Sequence, residues 1–543
     1  MICIILLYFD VTQTLYIETI DEILLHVQHD KHSLYSCLLV NRYWCRRVIP
    51  WLWGHPLKIL SALEPANIAP LIRTYISCLS EKERSLLIQC GINLPNSSPP
   101  FFNYASFLKD LDYRRLEISV RHWIKYEGTC GNYPTKRRII AGISLNNASI
   151  VVMTALCKLF LEGDPTLHHL KLAYTERILD LPDISVFTQG RYGLSCLQKI
   201  KFIVGSFNRT KLKNMITFLE ALPDIAPNVS HLDIDVITTD KTMSDTLVSI
   251  IEGLSYLSEF RLCDKSSGVT QVIEPTISAL NSRANSLTSL ELHNIHFQDL
   301  SLQGLAECKK LEVLLIIQCC CLTLTTWKPL ENAKFPLKTL YLDSDFGEKV
   351  TIAILQSTSN RSIKQLHLSC ATNKVIEILP ISCPSLSHLD VCVSNVSIEQ
   401  LVTMVSGIQQ LQYLAIMEYG GHNPKLVEVT PDLGKIFTPL LHYLELNFIM
   451  TFEQLDALLT HCKAPLETLI LNQYFENHQM ADEYFAAIAK FAKERGTLKR
   501  LCVNNDGIKT INCNQKSVIV QDLLRYVKIL SYSDASVKIC EQN

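Results

Sequence analysis

The residues of this chain best suited to chemistry are its 20 cysteines and 16 histidines, which could serve as metal ligands, nucleophiles or acid–base groups. The cysteines are scattered, as at Cys37 and Cys157, or adjacent, as at Cys319, Cys320 and Cys321, and the sequence contains no CxxC pair. A structural zinc site needs four ligands at compatible spacing. The pattern therefore predicts free thiols that act as small buried apolar groups in a reducing compartment, with no metal and no cofactor.

Motifs with a defined catalytic geometry are also missing from the sequence. The phosphate-binding loop GxxxxGK[ST], the dinucleotide motif GxGxxG, the metalloprotease motif HExxH and the hydrolase motif GxSxG do not occur. The adjacent pair His168 and His169 falls at a predicted strand rather than in such a motif. We therefore predict a chain that is not an enzyme and has no catalytic residues.

Charge and hydrophobicity exclude two further classes of partner. Lys plus Arg number 51 and Asp plus Glu number 53, which gives a net charge of −2 and no broad basic field for nucleic acid. The apolar start, residues 1–9, ends at Asp10 and is too short to span a membrane, and it lacks the basic n-region and AxA-like cleavage site of a signal peptide. We expect no nucleic-acid or membrane partner, and a cytoplasmic and/or nuclear location.

A six-residue string, LxxLxL with Leu, Ile, Val or Phe at its apolar places, recurs thirteen times at a spacing of about 28 residues. Its copies begin at Leu167, Leu197, Val229, Leu257, Leu287, Leu311, Leu337, Ile363, Leu386, Leu411, Leu441, Leu466 and Leu498. Each string predicts a short strand, because its last two apolar residues alternate at period two. Capping boxes at Ser397 with Gln400 and at Thr451 with Gln454 predict helices between strands.

The array resembles the leucine-rich-repeat family in its long-repeat form. The resemblance implies an α/β solenoid over residues 143–512, with about 13 repeats, a parallel sheet on the concave face and helices on the convex face. The family's Asn/Cys position, eight residues after the first Leu, is Cys319 in one repeat but Ile295, Asp345, Tyr419 and Ile449 in others. The internal Asn ladder is therefore expected to be largely missing.

Equivalent positions of stacked strands, about 4.8 Å apart, form columns along a sheet. The column before the second apolar residue reads Thr339, Gln365, His388, Tyr413, Tyr443, Thr468 and Arg500. His388, Tyr413 and Tyr443 would form an aromatic patch of the kind that anchors protein interfaces, and with Tyr341 and Arg500 they are the predicted target-binding residues. The alternative is an aromatic ladder that stabilises the sheet.

The charge along the same face is predicted to change sign. Lys171, Lys199 and Lys201 come first along the array, and Asp233 and Asp235 follow in the third repeat. A groove with this arrangement would suit a peptide or protein ligand.

The start of the chain has a different composition. Residues 10–56, here called the head, contain three short apolar helical patterns. Some 45 residues make a poor core on their own, so the head is expected to pack on the rest of the chain or to bury its surface in a partner.

The head resembles the F-box, and its run SLYSCLLVNRYWCRRVIPWLW resembles the F-box of fungal proteins that carry leucine-rich repeats behind it. The family pattern of spaced Leu/Ile, Glu, L..C..V and Trp is met by Leu15, Glu18, Ile20, Ile23, Leu34, Cys37, Val40 and Trp44. The resemblance implies that these residues bind an adaptor. The Pro that usually follows the first Leu is Tyr16 here, and the alternative for the head is a helical cap of the solenoid.

The flanking segments are predicted from local signals. Residues 57–142 form a helical linker, with a capping box at Ser80 and Glu83 and a long helix over residues 101–126. Residues 513–543 form a C-terminal cap with a helix over residues 518–530.

The two resemblances together imply a substrate-recognition subunit of a cullin–RING ubiquitin ligase of the SCF type. Its head would bind a Skp-family adaptor and its repeats would bind a target protein. The alternative is a ligase-independent protein-binding scaffold or inhibitor.

Overall fold

The structure is a computed structural model. It describes residues 17–28, 30–59, 68–94, 99–126, 144–162, 167–174, 179–188, 194–205, 212–237, 243–266, 271–357, 362–394, 396–418, 430–448, 450–472, 478–504 and 518–530. Leu15 and Tyr16 therefore lie outside the described residues. The chain forms two compact units, Met1–Thr238 with Gly253–Tyr256, and Thr239–Glu252 with Leu257–Asn543.

The first unit contains the head, a helical segment and four strands. Its elements are α1 (Ile17–Val27), α2 (Lys31–Leu38), α3 (Arg42–Gly54), α4 (Pro56–Ile59), α5 (Ala69–Ser77), α6 (Glu81–Gln89), β1 (Asp110–Asp112), α7 (Tyr113–Tyr126), α8 (Leu145–Leu161), β2 (His169–Tyr174), α9 (Ser185–Thr188), β3 (Lys199–Val204), α10 (Lys213–Ile225) and β4 (His231–Val236). The four strands pair in chain order, and every pair is parallel.

The head forms a three-helix unit because its helix-capping residues and its apolar residues specify the same helices. Asp30 caps α2 by accepting a hydrogen bond from the backbone N–H of His32, and Asn41 caps α3 by accepting from Tyr43 and Trp44. The apolar faces of α1, α2 and α3 meet in one buried cluster. The head thus closes a core of its own.

The predicted helix over residues 101–126 is wrong in its first half. Asp110–Asp112 form strand β1, which pairs with β2 and buries Leu111. The carboxylate of Asp112 accepts a hydrogen bond of 3.0 Å from the backbone N–H of Arg115. This bond satisfies a first-turn amide, so α7 begins at Tyr113.

The second unit alternates strands and helices. Its elements are α11 (Ser244–Gly253), β5 (Glu259–Asp264), α12 (Ile273–Ala279), β6 (Ser289–His293), β7 (Val313–Ile317), α13 (Leu324–Trp327), β8 (Thr339–Asp343), α14 (Glu348–Ser357), β9 (Gln365–Ala371), α15 (Asn373–Ser382), β10 (His388–Val393), α16 (Ile398–Gly407), β11 (Tyr413–Glu418), α17 (Thr430–Ile436), β12 (Tyr443–Asn447), α18 (Phe452–His461), β13 (Thr468–Asn472), α19 (His478–Arg495), β14 (Arg500–Asn504), α20 (Val518–Leu523) and β15 (Lys528–Ile529). The eleven strands are parallel neighbours in chain order.

All thirteen predicted strings contain a strand, β2 to β14, and each strand begins two residues after the first apolar residue of its string. The string residues are buried, as Leu340 and Leu342 illustrate. Strands β1 and β15 lie outside the residues predicted for the array, in the predicted linker and tail. Parallel pairing therefore continues into both flanking segments.

Helix starts follow the three predicted capping signals with two differences. Ser80 caps α6 by accepting from the backbone N–H of Glu83, but the Glu83 carboxylate accepts from the Ser80 hydroxyl instead of from its backbone N–H. Thr451 and Gln454 form the complete capping box, because each side chain accepts a hydrogen bond from the other residue's backbone N–H. Ser397 caps α16, but the side chain of Gln400 donates to Glu377 at 2.7 Å instead of closing the box.

The predicted tail helix over residues 518–530 is too long. Helix α20 ends at Leu523, and Lys528–Ile529 form β15 alongside β14. No helix in the described part of the chain is long and apolar enough to cross a membrane.

Candidate functional site

The register of the predicted column is confirmed, and the column is called here the first column, but four of its seven members are buried: Thr339, Tyr413, Tyr443 and Thr468. Strands β8 to β14 pair in register, with Thr339, Gln365, His388, Tyr413, Tyr443, Thr468 and Arg500 as successive partners. The register is regular because each string places the same number of residues between its buried positions.

The aromatic members of the first column stack. The ring centroids of His388 and Tyr413 lie 5.7 Å apart, and those of Tyr413 and Tyr443 lie 4.0 Å apart at an interplanar angle of 14°. The two tyrosines are only 6% and 4% exposed, so their rings act as the sheet-stabilising ladder that the sequence left open. Gln365 and His388 are half-buried and Arg500 is exposed, so these three offer the column's accessible polar groups.

The hydroxyl of Tyr443 is also used inside the protein. It donates a hydrogen bond of 2.9 Å to Oε2 of Glu445, a buried carboxylate. Burial raises the pKa of Tyr443 far above its ordinary value, and the neighbouring Tyr413 and Glu445 raise it further. Tyr443 therefore stays neutral and keeps donating.

A second column lies two residues further along each strand, between the last two apolar residues. Tyr341 stacks on His367 with centroids 3.9 Å apart at 8°, and Nδ1 of His367 lies 2.7 Å from Oδ2 of Asp390. His367 is buried, and the sequence analysis did not single it out. The signal that could have found it is the register itself, which makes Tyr341, His367 and Asp390 successive partners.

The His367–Asp390 pair resembles the orienting half of a catalytic triad, in which a carboxylate fixes an imidazole. Covalent chemistry would also need a hydroxyl or thiol within hydrogen-bond reach of the other ring nitrogen. Nε2 of His367 is buried without a hydrogen-bond partner in the described part of the chain. The pair therefore fixes the orientation of the His367 ring that stacks on Tyr341.

The charged residues of the first unit compensate one another. Nζ of Lys201 lies 2.7 Å from Asp233 and 3.3 Å from Asp235, and Nζ of Lys171 lies 3.0 Å from Asp112. The predicted change of sign is present in the strand order, but four of these charges form ion pairs between neighbouring strands: Lys171, Lys201, Asp233 and Asp235. Paired charges exert a weaker electrostatic field on a ligand than unpaired charges would.

The head separates the predicted adaptor-binding residues into core and surface. Ile20, Leu34, Cys37 and Trp44 are buried in the cluster of the three helices, with Ile23 packed against it. These side chains shape the head but present little surface. The side chains of Leu15 and Glu18 lie outside the described residues.

Among the predicted adaptor-binding residues, Val40 is well exposed. It belongs to a larger set of exposed apolar side chains whose other members were not predicted from the sequence. The group, called here the apolar head surface, is the set of large exposed apolar side chains on the three helices of the head and the turn before α3: Leu25, Tyr35, Leu39, Val40 and Tyr43. Helix α2 ends at Leu38, so Leu39 and Val40 lie in the turn before α3. The consecutive run LLV was the signal, because three successive apolar residues cannot all face one core.

The pKa of His388 is expected to lie below its ordinary value in the folded protein. Burial lowers the pKa of His388 from 6.5, and the neighbouring His442 lowers it further. The unfolded chain then binds more protons, so His388 contributes a loss of stability as the pH falls below about 6.5. An NMR titration of the imidazole checks this. His442→Gln should move the midpoint of His388 upwards, and a wild-type midpoint at or above 6.5 would contradict it.

The regular strings, the parallel strands and the strand–helix alternation define the fold as an α/β leucine-rich-repeat solenoid. Cys319 fills the family's Asn/Cys position as expected: its thiol accepts from the backbone N–H of Ile295 and donates to the carbonyl of Leu292.

Comparisons with known proteins add the following. No family model matches the chain, and no curated protein matches it. Similar solved structures include an internalin (inlF) from Listeria monocytogenes, 17% identical, covering 62% of this chain and 80% of that one with a TM-score of 0.34. The Rad7 and Elc1 complex in yeast is 12% identical, covers 97% of both chains and has a TM-score of 0.35. Human 5T4 is 14% identical, covers 50% and 88%, and has a TM-score of 0.25. At these values, the assignment of the fold depends on the chain's own strings and strands.

Proposed function

We propose that this chain is a non-catalytic substrate receptor of a cullin–RING ubiquitin ligase of the SCF type. Its head binds a Skp-family adaptor, and the strand face of its repeats binds a target protein. The observation that carries the proposal is the apolar head surface, which stays exposed to solvent although the head has a buried core of its own.

Several large apolar side chains that are exposed on one small domain are typical of a binding site in a soluble protein. Leu39 is 88% exposed, and Val40 and Tyr43 lie within four residues of it. Arg42 and Arg46 are exposed on the same helix. Tyrosine and arginine around an apolar centre are typical of residues that dominate binding energy. The surface therefore suits an adaptor that offers apolar and acidic groups.

The head is attached to the helical segment that follows it. The backbone N–H of Lys109 donates to the carbonyl of Gly54 at 2.8 Å, and just after the head Nη1 of Arg115 donates to the carbonyl of Leu57 at 3.1 Å. The ring of Trp53 packs on Tyr104 with centroids 4.2 Å apart. The head is thus fixed to the elements next to β1 within the first unit. A receptor that binds adaptor and target at once would make the transfer of ubiquitin effectively intramolecular.

The proposed target-binding residues are His388 and Arg500, with Tyr341, Tyr413 and Tyr443 as the packed support beneath. Arg500 begins β14 and is exposed, and His388 begins β10 in the same column. A cation and an imidazole at the edge of a buried aromatic ladder suit a peptide with acidic and apolar side chains.

Arg500→Glu combined with His388→Ala is expected to lower capture of target proteins by at least about tenfold, because the change reverses one interface charge and removes a ring. Adaptor capture should not change. Quantitative affinity capture with the full chain measures both. Lys499→Glu, which leaves His388 and Arg500 in place, is the matched control, because Lys499 lies next to Arg500 but pairs with Glu467 at 2.8 Å. Target capture by the double variant at the level of Lys499→Glu would argue against this surface.

The alternative function is a ligase-independent scaffold or inhibitor. One observation favours it. The F-box resemblance assigns four residues to adaptor binding whose side chains are buried in the head's own core: Ile20, Leu34, Cys37 and Trp44. The two functions differ in one property, because only the receptor binds an adaptor through its head.

A further inference from the structure

Two loops beyond the strand ends bring a histidine and two cysteines together. The loops follow β6 and β7, and the potential ligand atoms of His296, Cys320 and Cys321 all lie within 4.8 Å of one another. Sγ of Cys321 is 3.4 Å from Nε2 of His296. Both thiols are exposed and the imidazole is half-buried, so solvent reaches the cluster.

The neighbouring Cys319 explains why the cluster is held in place. Its buried thiol accepts a hydrogen bond of 3.2 Å from the backbone N–H of Ile295 and donates one of 3.3 Å to the carbonyl of Leu292. This is the structural role of the Asn/Cys position of the repeat. Cys319 therefore belongs to the interior, and the two cysteines that follow it do not.

The backbone next to Cys319 fixes the pairing of the two loops. The N–H of Cys320 donates to the carbonyl of Ile295 at 3.0 Å, and the N–H of Phe297 donates to the carbonyl of Cys320 at 2.9 Å. These bonds make His296 and Cys320 partners in a parallel bridge. Partners in such a bridge carry neighbouring side chains, so the imidazole and the first thiol meet without any rearrangement of the loops.

We infer that His296, Cys320 and Cys321 form a binding site for Zn²⁺, with the fourth coordination position open to water or an added ligand. Thiolate and imidazole are the ligands that Zn²⁺ prefers, and two cysteines with one histidine occur in sites that keep an open position. Tetrahedral bonds of about 2.1–2.3 Å place ligand atoms about 3.4–3.8 Å apart. The observed separation of 3.4 Å between sulfur and nitrogen is within this range.

The sequence predicted no metal site because its cysteines form no CxxC pair. The ligands instead come from two successive repeats, with His296 24 residues before Cys320. That separation becomes a contact only because one repeat stacks on the next. The signal was a histidine and a cysteine separated by one repeat length, together with a second adjacent cysteine.

The test uses the full chain, reduced, with Zn²⁺ alone as the probe and a chromophoric chelator as competitor. The wild type should retain one equivalent of Zn²⁺ against the chelator. Cys320→Ser and Cys321→Ser should lose this equivalent, and His296→Asn should lower the affinity for it by at least about tenfold. Cys370→Ser, which removes a half-buried thiol from another repeat, should leave that equivalent unchanged. Co²⁺ in place of Zn²⁺ should show a thiolate-to-metal charge-transfer band that disappears in the cysteine variants.

Thermal unfolding supplies a second readout. Zn²⁺ should raise the unfolding temperature of the wild type and of Cys370→Ser but not of Cys320→Ser, because a ligand that binds only the folded state stabilises it. Wild-type affinity and stoichiometry in all three ligand variants would overturn the inference, as would a wild type that retains no equivalent against the chelator. Neither outcome depends on adaptor binding, so this site and the proposed function fail separately.

Discussion

Leu39→Asp is expected to lower capture of a Skp-family adaptor by the full chain by at least tenfold, while the chain stays folded. Leu39 lies in the turn between α2 and α3 and is 88% exposed, so its replacement leaves the core of the head intact. Burying a leucine in an interface is worth about 1.5–3 kcal/mol, and a carboxylate at the same place adds a desolvation cost. Since 1.4 kcal/mol corresponds to a factor of ten, the loss should be easily measured.

Leu86→Asp is the matched control for this experiment. Leu86 is an exposed leucine on α6, outside the head, and its substitution should leave adaptor capture unchanged. Leu34→Asp is not informative, because Leu34 is buried in the head and its substitution would unfold the helices. Adaptor capture by Leu39→Asp at the wild-type level would show that the apolar head surface is not the docking surface.

Leu290→Ala should lower the free energy of unfolding by about 2–5 kcal/mol, because it removes buried methyl groups and leaves a cavity in the second unit. Leu290 is the second apolar residue of its string, lies in β6 and is fully buried. Urea unfolding followed by circular dichroism measures the change.

Leu324→Ala makes the same chemical change at an exposed position, the first residue of α13. Its effect should stay within about 1 kcal/mol, because little apolar surface is lost. Equal shifts of the two urea midpoints would contradict the assignment of the strings to the core. The comparison therefore tests the link between the sequence repeat and the fold.

The strands could be predicted because their signal is local and repeated. Each string specifies its own strand by alternation, and the fixed spacing within the string sets the register with its neighbour. For the same reason the register of the first column, from Thr339 to Arg500, could be predicted from the sequence. β1 was missed because Asp110–Asp112 carry a single apolar residue, Leu111, and become a strand only by pairing with β2.

The sites were harder to predict, because they depend on which face of each element is covered. Leu34 and Leu39 belong to the same apolar run, yet the end of α2 buries one and exposes the other. Tyr413 and Tyr443 were correctly placed on one column, but their burial follows from stacking that a sequence pattern does not contain.

Binding of a ubiquitin-ligase adaptor by the head is the property that separates the receptor from the scaffold. The most direct measurement is a calorimetric titration of the purified full chain with a purified Skp-family adaptor, with the mass of the product determined by light scattering. The proposal predicts a 1:1 complex with a Kd of about 1 μM or tighter, equivalent to about 8 kcal/mol of binding free energy. A folded chain that gives no heat and no complex at adaptor concentrations of about 100 μM would contradict it and leave the ligase-independent scaffold as the function.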